Sequence, residues 1–300
     1  MSQPEDSVPD TAERSTAPRE AGSPAPVSRP VRVLCGATTH VGKVRPRNED
    51  HFAIIRRKRS RDVIASNVEL KNDGPEDEAF TLIVADGVGG EGFGDRASEL
   101  AVRAGWESAN QAACWLMKLD SSSATEIRQQ VDAVAAAIQQ AFQTQARENP
   151  ELAGMATTWT CAYITGWHAF VAHVGDSRAY HFRGGAIEQL TSDHTLAEEL
   201  RRSGADPQYL SKFRSVLTKA FGGDASAVAP DILQLALEDG DSLLLCSDGL
   251  SNTVTDAEMA QLIQQYTDPQ QICDQLIEKA LERGAPDNVT ALLARVVVRD

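Results

Sequence analysis

Three apolar runs of the chain each finish on an aspartate next to a small residue: Leu82-Ile83-Val84-Ala85-Asp86-Gly87, Val171-Ala172-His173-Val174-Gly175-Asp176-Ser177 and Leu243-Leu244-Leu245-Cys246-Ser247-Asp248-Gly249. A fourth aspartate, Asp287, precedes Asn288 and the last apolar run, and Glu49-Asp50 opens another. Taken singly, each is ordinary turn chemistry. If one sheet sandwich aligns these ends, however, six carboxylates share one cleft, repel each other and hold protons more tightly than usual. Hard divalent cations remove that repulsion, and carboxylate oxygens are the ligands that Mg²⁺ and Mn²⁺ prefer. No His pair or thiolate pair has zinc-like spacing. Two hard metals are the economical reading. Arg45, four residues before Glu49, supplies the opposite charge. Its planar donors match phosphate oxygens two at a time, so the ligand such a site would take is an anion bridging metals and guanidinium.

The elements that must position these groups follow from periodicity. Extended runs are expected at Val31–Thr38, Asp50–Ile55, Phe80–Ala85, Thr157–Thr165, Ala169–Val174, Arg178–Phe182, Ser242–Cys246 and Val289–Val298. Thr165-Gly166 and Arg183-Gly184-Gly185 read as hairpin turns, which points to antiparallel pairing. Helices are expected at Asp95–Lys118 and Thr125–Arg147, the second with Ile127, Val131, Val134, Ile138, Ala141 and Phe142 along one stripe. Thr255-Asp256-Ala257-Glu258 is a capping box, Asp268-Pro269 starts another helix, and Gly284 suits its end. Strands, two helices, strands, helices and a strand do not repeat as βαβ. The order favours antiparallel sheet with helices outside it.

Composition narrows the function classes. A net charge of −14 over 300 residues argues against nucleic-acid or anionic-membrane binding. No apolar stretch approaches a membrane span, and Glu5, Asp6 and Asp10 stand where a signal peptide would be basic and then apolar. Five scattered cysteines without CxxC spacing suggest reduced thiols and a cytoplasmic protein. Residues 1–30 hold six of the thirteen prolines and no Leu, Ile or aromatic residue, so they read as a disordered Pro/Ser-rich tail before one domain at 31–300.

From about Val31 to Val298 the chain resembles the metal-dependent protein phosphatases of the 2C (PPM) family, bacterial members in particular. The matching motifs, in order, are Gly42-Lys43-Val44-Arg45-Pro46-Arg47-Asn48-Glu49-Asp50, Val84-Ala85-Asp86-Gly87-Val88-Gly89-Gly90, Thr157-Thr158, Gly175-Asp176-Ser177-Arg178-Ala179, Leu190-Thr191-Ser192-Asp193-His194, Leu217-Thr218-Lys219-Ala220-Phe221-Gly222, Cys246-Ser247-Asp248-Gly249-Leu250 and Asp287-Asn288-Val289-Thr290. The resemblance implies an α+β fold, a four-layer αββα sandwich with two central antiparallel sheets flanked by helices, and the site between the sheets at one end. It implies hydrolysis of phosphoserine or phosphothreonine in proteins by a metal-activated water, dependent on Mn²⁺ or Mg²⁺, with no covalent phosphoenzyme. Phosphoprotein substrates, an opposing serine/threonine kinase and a monomeric enzyme are the partners and state it suggests.

By the same resemblance Asp86 bridges two metals and the Gly87 carbonyl completes one shell. Asp248 and Asp287 hold the first metal, Glu49 serves the second, Asp50 orients coordinated water, and Arg45 clamps the phosphate. Some members bind a third metal, for which Asp176 is the candidate. The chain departs from the family pattern at three places. Val88 stands where many eukaryotic relatives have a His, a suggested acid for the leaving alkoxide; Asn252 replaces an Asp; and Ala156 replaces a Gly.

Two other readings compete. Gly87-Val88-Gly89-Gly90-Glu91-Gly92 satisfies GxGxxG, but Asp86 and Glu91 would set negative charge beside a pyrophosphate, and no βαβ return follows. A non-catalytic phosphatase-like binding module would have lost metal ligands, and none of Glu49, Asp50, Asp86, Asp248 or Asp287 is missing. Of the weaker features, Arg56-Arg57-Lys58-Arg59-Ser60-Arg61 reads as a solvated hairpin tip. The 193–223 segment, by resemblance the flap, carries Arg201, Arg202, Lys212, Arg214 and Lys219 within reach of substrate. His173 and His181 read as packed or hydrogen-bonded, and no role is assigned to His194.

Overall fold

The computed structural model describes residues 31–59, 77–89, 93–116 and 124–299. The expected tail at 1–30 and most of the β-hairpin tip lie outside these residues. In chain order the strands are β1 (Val31–His40), β2 (Asp50–Arg59), β3 (Asp77–Val88), β4 (Ala156–Thr157), β5 (Trp159–Thr165), β6 (His168–Val174), β7 (Arg178–Arg183), β8 (Ala186–Gln189), β9 (Phe221–Gly222), β10 (Asp231–Ala236), β11 (Ser242–Cys246) and β12 (Val289–Val298). The helices are α1 (Phe93–Leu116), α2 (Ala124–Glu148), α3 (Leu196–Arg202), α4 (Pro207–Leu210), α5 (Asp248–Ser251), α6 (Asp256–Gln265) and α7 (Pro269–Glu282).

One sheet runs β1-β12-β11-β7-β8. The other runs β10-β6-β5-β3-β4-β9, with β2 also paired to β3. Every pairing is antiparallel. Alternation along each strand builds the layers. Leu243, Leu245, Leu292 and Ala294 face the other sheet and meet Leu82, Val84, Ala162 and Ile164 in the central core. Leu244, Cys246, Ala291 and Leu293 face outward onto Met259, Ile263, Ile272 and Leu276 of α6 and α7. On the opposite outer face Ile83 and Val174 meet Ala97 and Ala101 of α1 and Val134, Ile138 and Phe142 of α2. The result is the expected helix–sheet–sheet–helix sandwich.

Local signals act as read at the hairpins and caps. Gly166 (φ 52°) closes β5–β6, and Gly184 (φ 59°) with Gly185 (φ 88°) closes β7–β8. The Thr255 N–H donates to the Glu258 carboxylate at 3.1 Å, and Gly284 ends α7 at φ 96°.

The structure corrects the strand list in two ways. The run at Thr157–Thr165 is broken at Thr158 into β4 and β5, because the Thr158 N–H and hydroxyl are both taken by the Asp86 backbone. Strands β8, β9 and β10 are additional. They are short, and Leu233 of β10 is exposed, so their apolar alternation is weak.

Gly175 is the turn residue that sets Asp176 in place. Its φ is 107°, and a Cβ there would lie 2.5 Å from the Thr158 Cβ. Gly175→Ala is expected to cost about 2–4 kcal/mol from backbone strain and overpacking together. Urea unfolding measures it; an unchanged midpoint would show that the turn relaxes freely.

Candidate active site

The six carboxylates reach one end of the sandwich from separate elements. Antiparallel register sets Asp50 of β2 directly opposite Asp86 of β3, and Glu49 precedes that pair. Asp176 sits in the β6–β7 turn, Asp248 opens α5 just after β11, and Asp287 lies two residues before β12. Arg45, Glu49, Asp86, Asp176, Asp248 and Asp287 line a common cleft of about 840 Å³, together with Gly87 and Val88. All the site residues expected from the sequence therefore come together except Asp50, which lies behind the cleft wall and is 4% exposed.

Asp50 holds the two sheets together. Its Oδ2 accepts from the hydroxyls of Ser247 (2.7 Å) and Thr290 (2.6 Å), which belong to the opposite sheet's strand ends. The Thr290 N–H in turn donates to the Ser247 hydroxyl at 3.0 Å. Asn288 fixes the loop that carries Arg45. Its side-chain NH₂ donates to the carbonyls of Val41 (2.9 Å) and Arg47 (2.8 Å), while its Oδ1 accepts from the Glu49 N–H at 2.8 Å. On the other side, the Asp86 N–H donates to the Thr158 hydroxyl (2.9 Å), and Thr158 meets Ser177 at 2.7 Å. Ser247 and Thr290 stand beside acids in their motifs and Thr158 in a motif of its own, yet the sequence alone assigns no bonding role to these hydroxyls.

The electrostatics are those of crowded, desolvated acids. Burial first, then Asp50, Asp248, Asp176 and Asp287, holds the Asp86 carboxyl well above the usual range. Burial and Asp248 push Asp176 up to about 8, and burial pushes Asp50 up to about 7 and Asp248 to about 6. Glu49 is also raised, chiefly by burial. Arg45 donates from Nη2 to Asp287 Oδ2 at 2.8 Å, with both side chains partly exposed.

The fit to hard cations rests on donor chemistry. Asp50 Oδ1 and Asp248 Oδ1 are buried with no hydrogen-bond partner, the state of a carboxylate oxygen awaiting a proton or a cation. A Cβ on Gly94 would lie 2.6 Å from Glu49 Oε2 and 2.7 Å from the Gly87 carbonyl oxygen, so only glycine leaves those two oxygens side by side. The acids surround the cleft rather than closing on a point: among the described residues no three His, Cys, Asp or Glu side chains stand at metal-cage spacing.

A stability prediction follows. Groups whose folded-state proton affinity is raised favour the fold while protonated, and that contribution is lost as pH rises through their folded values. In a chelator, the melting temperature is expected to fall from pH 6.5 to 8.5, by about 2–4 °C per kcal/mol of repulsion released. Saturating Mn²⁺ should reverse the slope, because it binds the ionised acids. Scanning fluorimetry tests this, and a chelated protein equally stable at both pH values would contradict it.

The histidines serve structure. His173 is buried and stacks on His194 with ring centroids 4.7 Å apart. The Gly175 N–H donates to His194 Nδ1 at 3.0 Å, giving His194 the anchoring role that the sequence did not show. His181 meets Asp241 at 3.0 Å. In the 193–223 segment three of the five cations are ion-paired. Arg201 and Arg202 pair with Glu198, and Lys219 pairs with Asp231 at 2.8 Å. Arg201 and Arg214 nevertheless line a second cleft beside the first, sharing Asp176 and Asp248 with it. Of the basic run, Arg56–Arg59 lie within β2 rather than at a tip, and Arg61 lies outside the described residues.

Comparison with known proteins decides the family. The family model "Protein phosphatase 2C" matches residues 53–289. The chain belongs to the protein phosphatase 2C family. Among its relatives, the serine/threonine phosphatase Stp of Listeria innocua is 31% identical over 258 residues, 85% of this chain and 92% of that protein. The serine/threonine protein phosphatase PstP of Mycobacterium tuberculosis is 34% identical over 226 residues, 74% of this chain and 41% of that longer protein. The solved catalytic domain of PstP in complex with two manganese ions superposes with a TM-score of 0.69 at 29% identity, covering 89% of this chain and 99% of that one. A bacterial serine phosphatase structure gives 0.71 at 28% identity, covering 90% and 100%. Against this family pattern two departures have visible consequences. Val88 is 45% exposed at the cleft rim, and the Asn252 side chain donates to Asp248 Oδ2 at 3.1 Å where an acid would repel it. The dinucleotide reading fails on topology, since β3 leads into α1 and α2 and its sheet is antiparallel; Gly90–Gly92 lie outside the described residues.

Proposed function

We propose that the protein hydrolyses phosphoserine and phosphothreonine in proteins, with Mn²⁺ or Mg²⁺ held by the carboxylate cleft. The observation that carries this reading is the convergence of Glu49, Asp86, Asp176, Asp248 and Asp287 on one cleft with Arg45 at its edge, in a chain of this family. Asp86 would be shared by the cations, Asp248 and Asp287 would hold one, Glu49 would serve the other, the Gly87 carbonyl would complete one shell, and Asp176 would be available to a third. When bound, the cations lower the pKa of a water and offset charge on the transferring phosphoryl group.

The remaining chemistry belongs to the chain. Arg45 leaves Asp287 to grip two phosphate oxygens, a bidentate contact that fixes phosphorus for in-line attack. Asp50 is held by Ser247 and Thr290 through Oδ2, which leaves its buried Oδ1 without a protein partner and available to orient the attacking water. Val88 donates no proton, so the leaving alkoxide takes its proton from solvent. We place the enzyme in the cytoplasm, a setting in which the free thiols at Cys35, Cys161, Cys246 and Cys273 stay reduced, and read it as a monomer opposing a serine/threonine kinase.

A phosphoserine or phosphothreonine peptide incubated with purified protein and Mn²⁺ should release inorganic phosphate, and a chelator should stop it. No release with Mn²⁺, or equal release in the chelator, would overturn the reading.

A further inference from the structure

On the outer face of the β3–β5–β6 sheet, beneath α1 and α2, lies a narrow cavity, open at one side. It shares no lining residue with the carboxylate cleft. Its walls are mostly apolar, including Ile83, Ile127, Val134 and Phe170. Of the polar groups in the lining, which include Thr81 and Gln130, two have no partner. Trp159 is 4% exposed, and its indole Nε1 has no hydrogen-bond partner; the neighbouring Tyr163 hydroxyl, also buried, has none either. Leaving such groups unpaired is costly, so the arrangement is one that an occupant would relieve.

The chemistry of the lining says which occupant. Indole N–H only donates. Burial pushes the Tyr163 phenol and the Cys161 thiol up to about 12 each, so both keep their protons and neither contributes a negative charge. No Asp or Glu lines the cavity, although the chain carries 43 of them. The one charged lining residue is Arg57 of β2, whose guanidinium lies over the Trp106 ring at 5.8 Å and has no carboxylate partner among the described residues. An apolar pocket with a cation and two donor groups asks for a molecule that is apolar along its body and anionic at one end.

We infer that this cavity binds a small apolar carboxylate, its body between α2 and the sheet and its carboxylate on Arg57. The Trp159 indole N–H and the Tyr163 hydroxyl donate to the remaining carboxylate lone pairs. The site is separate from the phosphatase chemistry and does not depend on it.

Sodium octanoate is the probe, with octan-1-ol as the uncharged control and ¹⁵N-labelled protein to follow the indole resonances; Trp159→Phe assigns the Trp159 signal. Octanoate should move that signal saturably and bind more tightly than octanol by about tenfold or more, the worth of a charge-assisted hydrogen bond. Arg57→Ala should erase that preference while peptide hydrolysis continues. Val131→Phe, which fills the cavity, should abolish binding, with its melting curve showing that it folds. Three results would overturn the inference: no saturable shift at millimolar octanoate, octanol binding as well as octanoate in the unaltered protein, or binding undisturbed by Val131→Phe. An indole proton that only exchanges with a trapped water is the first of these.

Discussion

Replacing Asp86 by Asn is expected to lower phosphopeptide hydrolysis by about 10³-fold or more while making the metal-free protein more stable. The two effects have one origin. Asp86 is half-buried opposite Asp50 and feels Asp248, Asp176 and Asp287, so as an anion without cations it is a costly charge. An amide of the same shape removes that repulsion and raises the melting temperature in a chelator. It also removes the central bridging ligand, and the loss of a principal electrostatic element costs catalysis at least as much as the 10²–10³ of a single oxyanion donor. A merely structural Asp86 would give the opposite pattern, lower stability with activity falling only in proportion to unfolded protein. Thermal melts in chelator and initial rates in Mn²⁺ separate the two.

Arg45→Ala carries the second large effect. The Arg45 side chain is 53% exposed and, among the described residues, bonded to Asp287 alone, so its removal should change stability by less than about 1 kcal/mol. Activity should nevertheless fall by about 10²–10³-fold in kcat/KM, because the guanidinium fixes the phosphate and stabilises it in transfer. Arg45→Lys keeps the charge but loses the planar fork, and should recover only part of the loss. Full recovery by lysine would show that charge alone matters; unchanged kinetics in Arg45→Ala would remove Arg45 from the chemistry.

The sandwich was legible because its long strands alternate cleanly. Leu243, Leu244 and Leu245 look like one apolar block, yet the flanking Ser242 and the turn at Asp248 leave only a buried strand as a reading. The acids were legible because each ends such a strand. What supports them was not. Asp50 depends on Ser247 and Thr290, some 200 and 240 residues away in sequence, and only the register of two different sheets brings them within hydrogen-bond reach. The break at Thr158 arises from the Asp86 backbone across a strand, a contact that no local propensity encodes. Pairing of the flap cations with Glu198 and Asp231 depends on α3 and β10, short elements with weak patterns. The cavity under α2 exists only as a mismatch of packed shapes, which periodicity does not register.

The central claim is that these distant acids hold a pair of hard cations and that hydrolysis depends on them. Calorimetric titration of Mn²⁺ into chelator-stripped protein, with phosphopeptide turnover followed on the same samples, tests it most directly. Uptake of two equivalents is expected, with turnover rising with occupancy and both lost in Asp248→Asn. Stripped protein that takes up no manganese, or that hydrolyses the peptide at its full rate, would contradict it.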